Sequence, residues 1–227
     1  MSIIQNNTNS DPIDRQRAKR MGVAPSTSLR RHFLSLARQT RQWAHQNNFA
    51  TIRPCTIGVT SVSRGSGNST VAYNLAVAMT SIARSKVLLV ESDFGRHFIT
   101  RRLGNGRKMG LSELLAGMAE MEDVLTETPI RNLEAMGCGQ INEQVALELP
   151  FDELPSVIDR NFIDFGYTFF DLPVANNLTA CYSMVPALDG VILNVEANQI
   201  DQKLVSRFRS AMQAINVPIV GMVINKQ

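Results

Sequence analysis

The chain has 227 residues, 44% of them hydrophobic and 19% charged, with a net charge of +3; this suits one sizeable α/β domain of an ordinary soluble protein. No apolar run nears the roughly 20 residues that span a bilayer, and Met1–Arg20 lacks the apolar stretch of a secretory leader. The charge is uneven: residues 1–53 carry nine Lys/Arg against Asp11 and Asp14, a net +7, whereas the remainder carries 14 Lys/Arg against 18 Asp/Glu, a net −4. The basicity therefore belongs to the N-terminal extension, where it suits an anionic membrane surface, nucleic acid or an acidic protein.

In chain order, residues 1–27 are polar, rich in Asn and Ser and interrupted by Pro12 and Pro25, and are expected to be disordered. Residues 28–53 form an N-terminal helix and linker: Ser28 caps a helix to about Gln46, with Leu29, Phe33, Leu36 and Trp43 at helical spacing and Arg30, Arg31, Arg38 and Arg41 largely off that line. This helix is expected to pack on the domain or on a neighbouring subunit.

Residues 54–227 alternate short apolar strands with helical segments. Strands are expected near 56–61, 86–91, 132–136, 167–171, 189–195 and 218–224, and helices near 69–83, 111–117, 150–163 and 200–215. Near-continuous apolar strands such as Lys86–Val90 and Val191–Val195 imply an α/β fold: a mostly parallel twisted sheet with helices on both faces. Cys55, Cys138 and Cys181 are scattered and odd in number, and read as reduced, buried thiols. His32, His45 and His97 show no ligand spacing, so no metal is placed on them.

The chemistry centres on Val62–Thr70, VSRGSGNST, between the apolar run Thr56–Thr60 and a helical run from Val71 to Met79. Gly65 and Gly67 allow backbone N–H groups to turn toward a phosphate, and Ser69 and Thr70 open the helix, as in a phosphate-binding P-loop. Such a loop carries lysine where this chain has Asn68, which is neutral and too short to reach the β- and γ-phosphates. The nucleotide contacts are expected from Arg64, Gly65, Ser66, Gly67, Asn68, Ser69 and Thr70. Two further apolar strands end in carboxylates, one at Glu91 and Asp93 and the other at Asp171. Alone, either is a structural strand end; beside a P-loop, Ser69, Asp93 and Asp171 read as a magnesium site.

Several segments together resemble the cytoplasmic domain of the bacterial tyrosine kinases (BY-kinases) of exopolysaccharide biosynthesis, within the deviant-Walker P-loop class that includes the chromosome-partitioning ATPases. They are Thr60-Ser61, Asn74–Ala76, Val87–Asp93, Gly110–Gly117, Asn132–Gly139, Phe169–Pro173 and Ile219–Asn225, and the likeness spans about three quarters of the chain. The resemblance implies a P-loop NTPase fold, ATP or ADP with Mg²⁺ as cofactor, and a catalytic role for Asp93 and Asp171, with Glu91 standing where an aspartate is expected. Asn68 departs from the pattern at its lysine, Arg64 at its proline and Ser66 at its glutamate. The family's C-terminal tyrosine cluster is not matched: the only tyrosines are Tyr73, Tyr167 and Tyr182.

Losing a charged hydrogen bond of about 1.5–3 kcal/mol should weaken nucleotide binding roughly ten- to a hundredfold. Phosphoryl transfer should lose more, because charge builds up in its transition state. The expected function is thus a BY-kinase-like, cytoplasmic regulatory or scaffolding protein of exopolysaccharide or capsule assembly, with weak or absent kinase activity. The resemblance implies a membrane-bound polysaccharide co-polymerase (chain-length regulator) as partner, with homo-oligomers and a peripheral place at the inner face of the cell membrane. Two alternatives stand: an active tyrosine kinase or ATPase using Arg64 or a neighbouring subunit in trans, and a partitioning-type ATPase switch holding DNA or membrane through the basic extension.

Overall fold

The computed structural model describes residues 27–49, 53–103, 108–141, 143–175, 180–197 and 201–225. The disorder expected of the N-terminal extension falls outside these residues, Thr27 excepted. Seven strands form one sheet: β1 (Cys55–Ser61), β2 (Lys86–Glu91), β3 (Leu125–Glu127), β4 (Leu133–Met136), β5 (Phe165–Asp171), β6 (Gly190–Glu196) and β7 (Ile219–Asn225). Their order is β3-β4-β2-β5-β1-β6-β7, every pair parallel except β3 with β4. All six expected strands are present, each within two residues of its expected ends. The short antiparallel β3 was not anticipated.

The main helices are α1 (Thr27–Gln46), α2 (Asn68–Thr80), α3 (Phe98–Leu103), α4 (Leu111–Leu115), α5 (Met121–Val124), α6 (Glu143–Ala146), α7 (Leu154–Asn161), α8 (Ala180–Met184) and α9 (Gln202–Ala214). The helix expected over 150–163 breaks into a 3-10 turn (Phe151–Glu153) and α7, with Pro155 in the first turn of α7, where proline is tolerated. α2 begins at Asn68 and stops at Thr80, and α4 stops at Leu115.

Strand side chains alternate between two cores, one on each face of the sheet. On one face, Ile57, Val59, Val87, Leu89, Phe169 and Ile192 pack beneath α1 and α2. On the other, Leu88, Val90, Phe170, Val191 and Leu193 pack with Phe162, with Leu154, Val157 and Ile158 of α7, and with Phe208 and Met212 of α9. Gly58 lies where a Cβ would come 2.5 Å from Leu172 Cδ1. The absence of a side chain there lets β1 run through the middle of the sheet.

α1 packs through the face its apolar residues suggest, Leu29 excepted, with small residues at the fully buried positions. Phe33, Ala37, Thr40 and Ala44 are buried, Leu36 and Trp43 are half-buried, and Leu29 is exposed. The small residues permit close approach to α2, and Arg41 donates to the Ile82 carbonyl at 2.6 Å. α1 is thereby part of the body that carries the sheet.

At the end of the sheet away from the P-loop, Asp189 ties β1 to β6. It is buried and accepts from Thr56 N at 2.8 Å, from Thr56 Oγ1 at 3.0 Å and from the Arg53 guanidinium. Because Arg53 is 44% exposed, its share of the stabilisation is screened. The expected cost of Asp189→Ala is about 1–3 kcal/mol, set mainly by the stranded Thr56 donors, and chemical denaturation monitored by circular dichroism checks it.

Candidate nucleotide-binding site

The site stands at the carboxyl ends of β1, β2, β5 and β6, where α/β sheets bind ligands. β1 has β5 on one side and β6 on the other, with Val59 level with Asp171 and Ser61 level with Asn194. After Ser61 the chain turns through the loop and enters α2. Gly65 and Gly67 both adopt positive φ, +85° and +84°, the left-handed region that glycine occupies without strain. At Gly67 a Cβ would also come 2.9 Å from Asn225 Nδ2. Gly67 is the N-cap of α2 and supplies no side-chain oxygen, so the first-turn amides receive no side-chain cap there.

The loop is braced from inside and from beneath. Ser66, almost fully buried, donates to the Ser63 carbonyl at 2.8 Å and pairs with Ser63 Oγ at 2.8 Å. Two asparagines from neighbouring strand ends converge on the Ser66 carbonyl: Asn194 Nδ2 of β6 donates at 2.7 Å and Asn225 Nδ2 of β7 at 3.0 Å. Asn194 also donates to Asn68 Oδ1 at 3.2 Å. With its oxygen engaged there, Asn68 has only a neutral NH₂ to offer a phosphate. Asn194 and Asn225 were not among the residues expected at the site. A buried asparagine inside the apolar run Val191–Val195 was the available signal for the first.

Asp171 ends β5 with 1% exposure, and neither of its oxygens accepts a hydrogen bond from the protein. Burial pushes its carboxyl well above the ordinary carboxylate range; the nearby Ser69 hydroxyl eases that rise, while Asp93 and Glu91 add to it. A buried carboxylate with two vacant acceptors beside a serine hydroxyl fits a hard divalent cation such as Mg²⁺, which takes oxygen ligands. Ser69, Asp171 and Asp93 are the residues that would hold it. Asp93, half-buried, accepts from Gly95 N at 3.2 Å. The β2 and β5 ends are joined by Ser92, whose N and Oγ donate to the Asp171 carbonyl at 3.0 and 2.8 Å.

The remaining expected residues divide. Arg64 and Thr70 are exposed. Glu91 lies level with Asp171, fully buried, but its carboxylate is occupied at the start of α3, accepting from Ile99 N at 2.6 Å, Thr100 N at 3.2 Å and Thr100 Oγ1. The extra methylene of glutamate over aspartate lets it reach that helix end, where a negative charge meets unpaired N–H groups.

A parallel sheet whose first strand feeds a glycine loop and then a helix, with carboxylates on the adjoining strand ends, defines a P-loop NTPase fold. No protein-family model matches the chain. Its homologues are bacterial tyrosine kinases of the CpsD and CapB type: with the tyrosine-protein kinase CpsD of Streptococcus agalactiae it shares 25% identity over 171 residues, 75% of this chain and 74% of that one. With the succinoglycan biosynthesis transport protein ExoP of Rhizobium meliloti it shares 24% over 173 residues, 75% of this chain but 22% of that one. Among solved structures, the kinase domain of Escherichia coli tyrosine kinase ETK superposes with a TM-score of 0.75 at 19% identity, covering 100% of this chain and 84% of that one. The septum site-determining protein MinD of Pyrococcus horikoshii, complexed with Mg-ADP, gives 0.64 at 23%, covering 76% and 71%.

Folding raises the Asp171 pKa, so ionisation of this carboxyl opposes folding. The penalty is absent below the ordinary carboxylate range and grows as pH climbs through the raised folded value. Asp171→Asn should therefore melt at a higher temperature than the wild type at pH 7, by about 2–4 °C per kcal/mol relieved. The gain should shrink as pH falls toward 4, and Mg²⁺ should raise the wild-type melting point only. Thermal melts at the two pH values, with and without Mg²⁺, check this.

Proposed function

We propose that this chain is a BY-kinase-like P-loop protein of exopolysaccharide or capsule biosynthesis, acting through binding and assembly, with weak or absent phosphoryl transfer. The observation that carries this reading is Asn68. It occupies the position after Gly67 at the first turn of α2, with its side-chain oxygen held by Asn194. A neutral amide there leaves the β- and γ-phosphates without their point charge, while the loop backbone, the helix end and the Ser69/Asp171 pair remain to hold Mg²⁺-ATP or Mg²⁺-ADP weakly.

Residues 54–227 form the nucleotide-binding domain in this reading, with residues 28–53 attached to it through α1. Gly65, Ser66, Gly67, Asn68, Ser69 and Thr70 surround the phosphates, Arg64 lending the loop only its backbone while its side chain stays exposed, and Asp93 and Asp171 organise the metal. Glu91 serves the helix end rather than the reacting groups. Tyr73 and Tyr167 are buried in elements and unsuited as phosphate acceptors. The partner class is a membrane-bound polysaccharide co-polymerase, supported by the likeness to a succinoglycan transport protein. Among the described residues no helix is long and apolar enough to cross a membrane; the partner or the basic N-terminal extension would bring the chain to the inner face of the membrane.

The test is calorimetric titration of Mg²⁺-ATP and Mg²⁺-ADP into the wild type, Asn68→Lys and Arg64→Ala. Asn68→Lys should bind about ten- to a hundredfold more tightly than the wild type, and Arg64→Ala should match the wild type. Equal affinities for the wild type and Asn68→Lys would contradict the reading, and a collapse of binding in Arg64→Ala would favour an active enzyme that draws its cation from Arg64.

A further inference from the structure

Beside the nucleotide site, and separate from the Ser69/Asp171 pair, the fold gathers three side chains of different donor chemistry. Glu91 ends β2, His97 lies in the turn that follows, and Cys138 follows β4, the strand paired with β2. One ligand atom from each lies within 4.8 Å of the others, and Cys138 Sγ is 2.9 Å from His97 Nδ1. Glu91 and Cys138 are buried and His97 is half-buried. The sequence separation of 41 between His97 and Cys138 hid this grouping from any reading of ligand spacing.

A Cys–His contact also occurs in nucleophilic sites, but the charge here is wrong for that. Burial, and then the negative charges of Glu91, Asp93 and Glu113, push the Cys138 thiol far up and keep it protonated. A reactive thiolate needs cationic surroundings. The same acidic neighbourhood suits a bound cation, which would carry the thiolate with it.

We propose that Glu91, His97 and Cys138 form a binding site for a thiophilic divalent cation, Zn²⁺ by its donor set. Sulfur, imidazole nitrogen and carboxylate oxygen together select zinc over magnesium or calcium. Tetrahedral zinc at ordinary bond lengths sets its ligand atoms about 3.3–3.6 Å apart. The three groups therefore close on the ion with shifts of an ångström or less, Cys138 Sγ and His97 Nδ1 separating by roughly half an ångström. Binding releases the thiol proton to solvent and uses neutral imidazole at Nδ1; water takes the fourth position. Glu91 is already fixed by three donors from Ile99 and Thr100, the outer hydrogen bonding that orients a ligating carboxylate. The ion would pin the loop carrying Asp93 to β4, so its occupancy would set how firmly the metal side of the nucleotide site is held.

Co²⁺, a spectroscopic stand-in for Zn²⁺, is the probe, titrated into the untagged, reduced full chain without nucleotide. The expected result is a thiolate-to-cobalt charge-transfer band with strong visible bands of a tetrahedral ion, saturating at one per chain and displaced by Zn²⁺. Cys138→Ser should lose the charge-transfer band. His97→Asn, which keeps a residue tolerant of the positive φ of 47° found there, should bind at least about tenfold more weakly. Cys181→Ser should behave as the wild type. Circular dichroism establishes that each variant is folded, and His97→Asn decides the matter if Cys138→Ser does not fold. No thiolate band in the wild type, or a band that survives in Cys138→Ser or is undiminished in His97→Asn, would overturn the proposal and leave a buried Cys–His hydrogen bond. A Mg²⁺-nucleotide site lacks sulfur, so failure of the nucleotide reading would not alter this outcome.

Discussion

A carboxylate buried in the middle of the sheet, with only the Ser69 hydroxyl beside it to offer a donor, is the constraint around which this fold is arranged. Asp171 sits at the end of β5 between β1 and β2, and its burial opposes ionisation. A protein selected only for stability would place an apolar or hydrogen-bonded residue there. The burial of Asp171 gains its sense from what surrounds it: a serine hydroxyl, a second aspartate nearby and a glycine loop at the end of the adjoining strand β1. Each of these suits a cation carrying phosphates and contributes little without one.

The loop itself is built without its lysine. Its shape rests on two positive-φ glycines, the Ser63–Ser66 hydrogen bonds and the grip of Asn194 and Asn225 on the Ser66 carbonyl. None of these depends on a charge at position 68. In the proposed reading, a neutral residue at 68 lowers binding, and phosphoryl transfer more, while leaving the cradle standing. Glu91 points the same way: its carboxylate serves the start of α3.

Much of this was legible in the sequence, for physical reasons. Strands buried on both faces need continuous apolar runs, which made β1, β2, β5 and β6 readable, and glycines that must take positive φ marked the loop. Short elements were not readable. β3 has three residues and α5 and α6 four each, too few for any periodicity, and they exist because neighbours hold them. α1 was legible in part: Phe33, Leu36 and Trp43 pack against the core as their spacing suggested, whereas Leu29 is exposed and the fully buried positions fall to Ala37, Thr40 and Ala44, too small or polar to stand out in the sequence. Asn194 and Asn225 act across strand ends, and Glu91, His97 and Cys138 meet only through the β2–β4 pairing. Such juxtapositions are products of topology and leave no spacing in the chain.

In the proposed reading, a kinase-like fold with a braced phosphate loop lacks the charge that phosphoryl transfer needs. The most direct measurement is phosphoryl transfer from γ-labelled Mg²⁺-ATP by the purified wild-type chain to itself and to a tyrosine-containing polypeptide, beside an active bacterial tyrosine kinase under the same conditions. The expected result is a folded protein whose phosphotyrosine stays at or near background, far below that of the active kinase. Labelling at a rate matching the active kinase would contradict it.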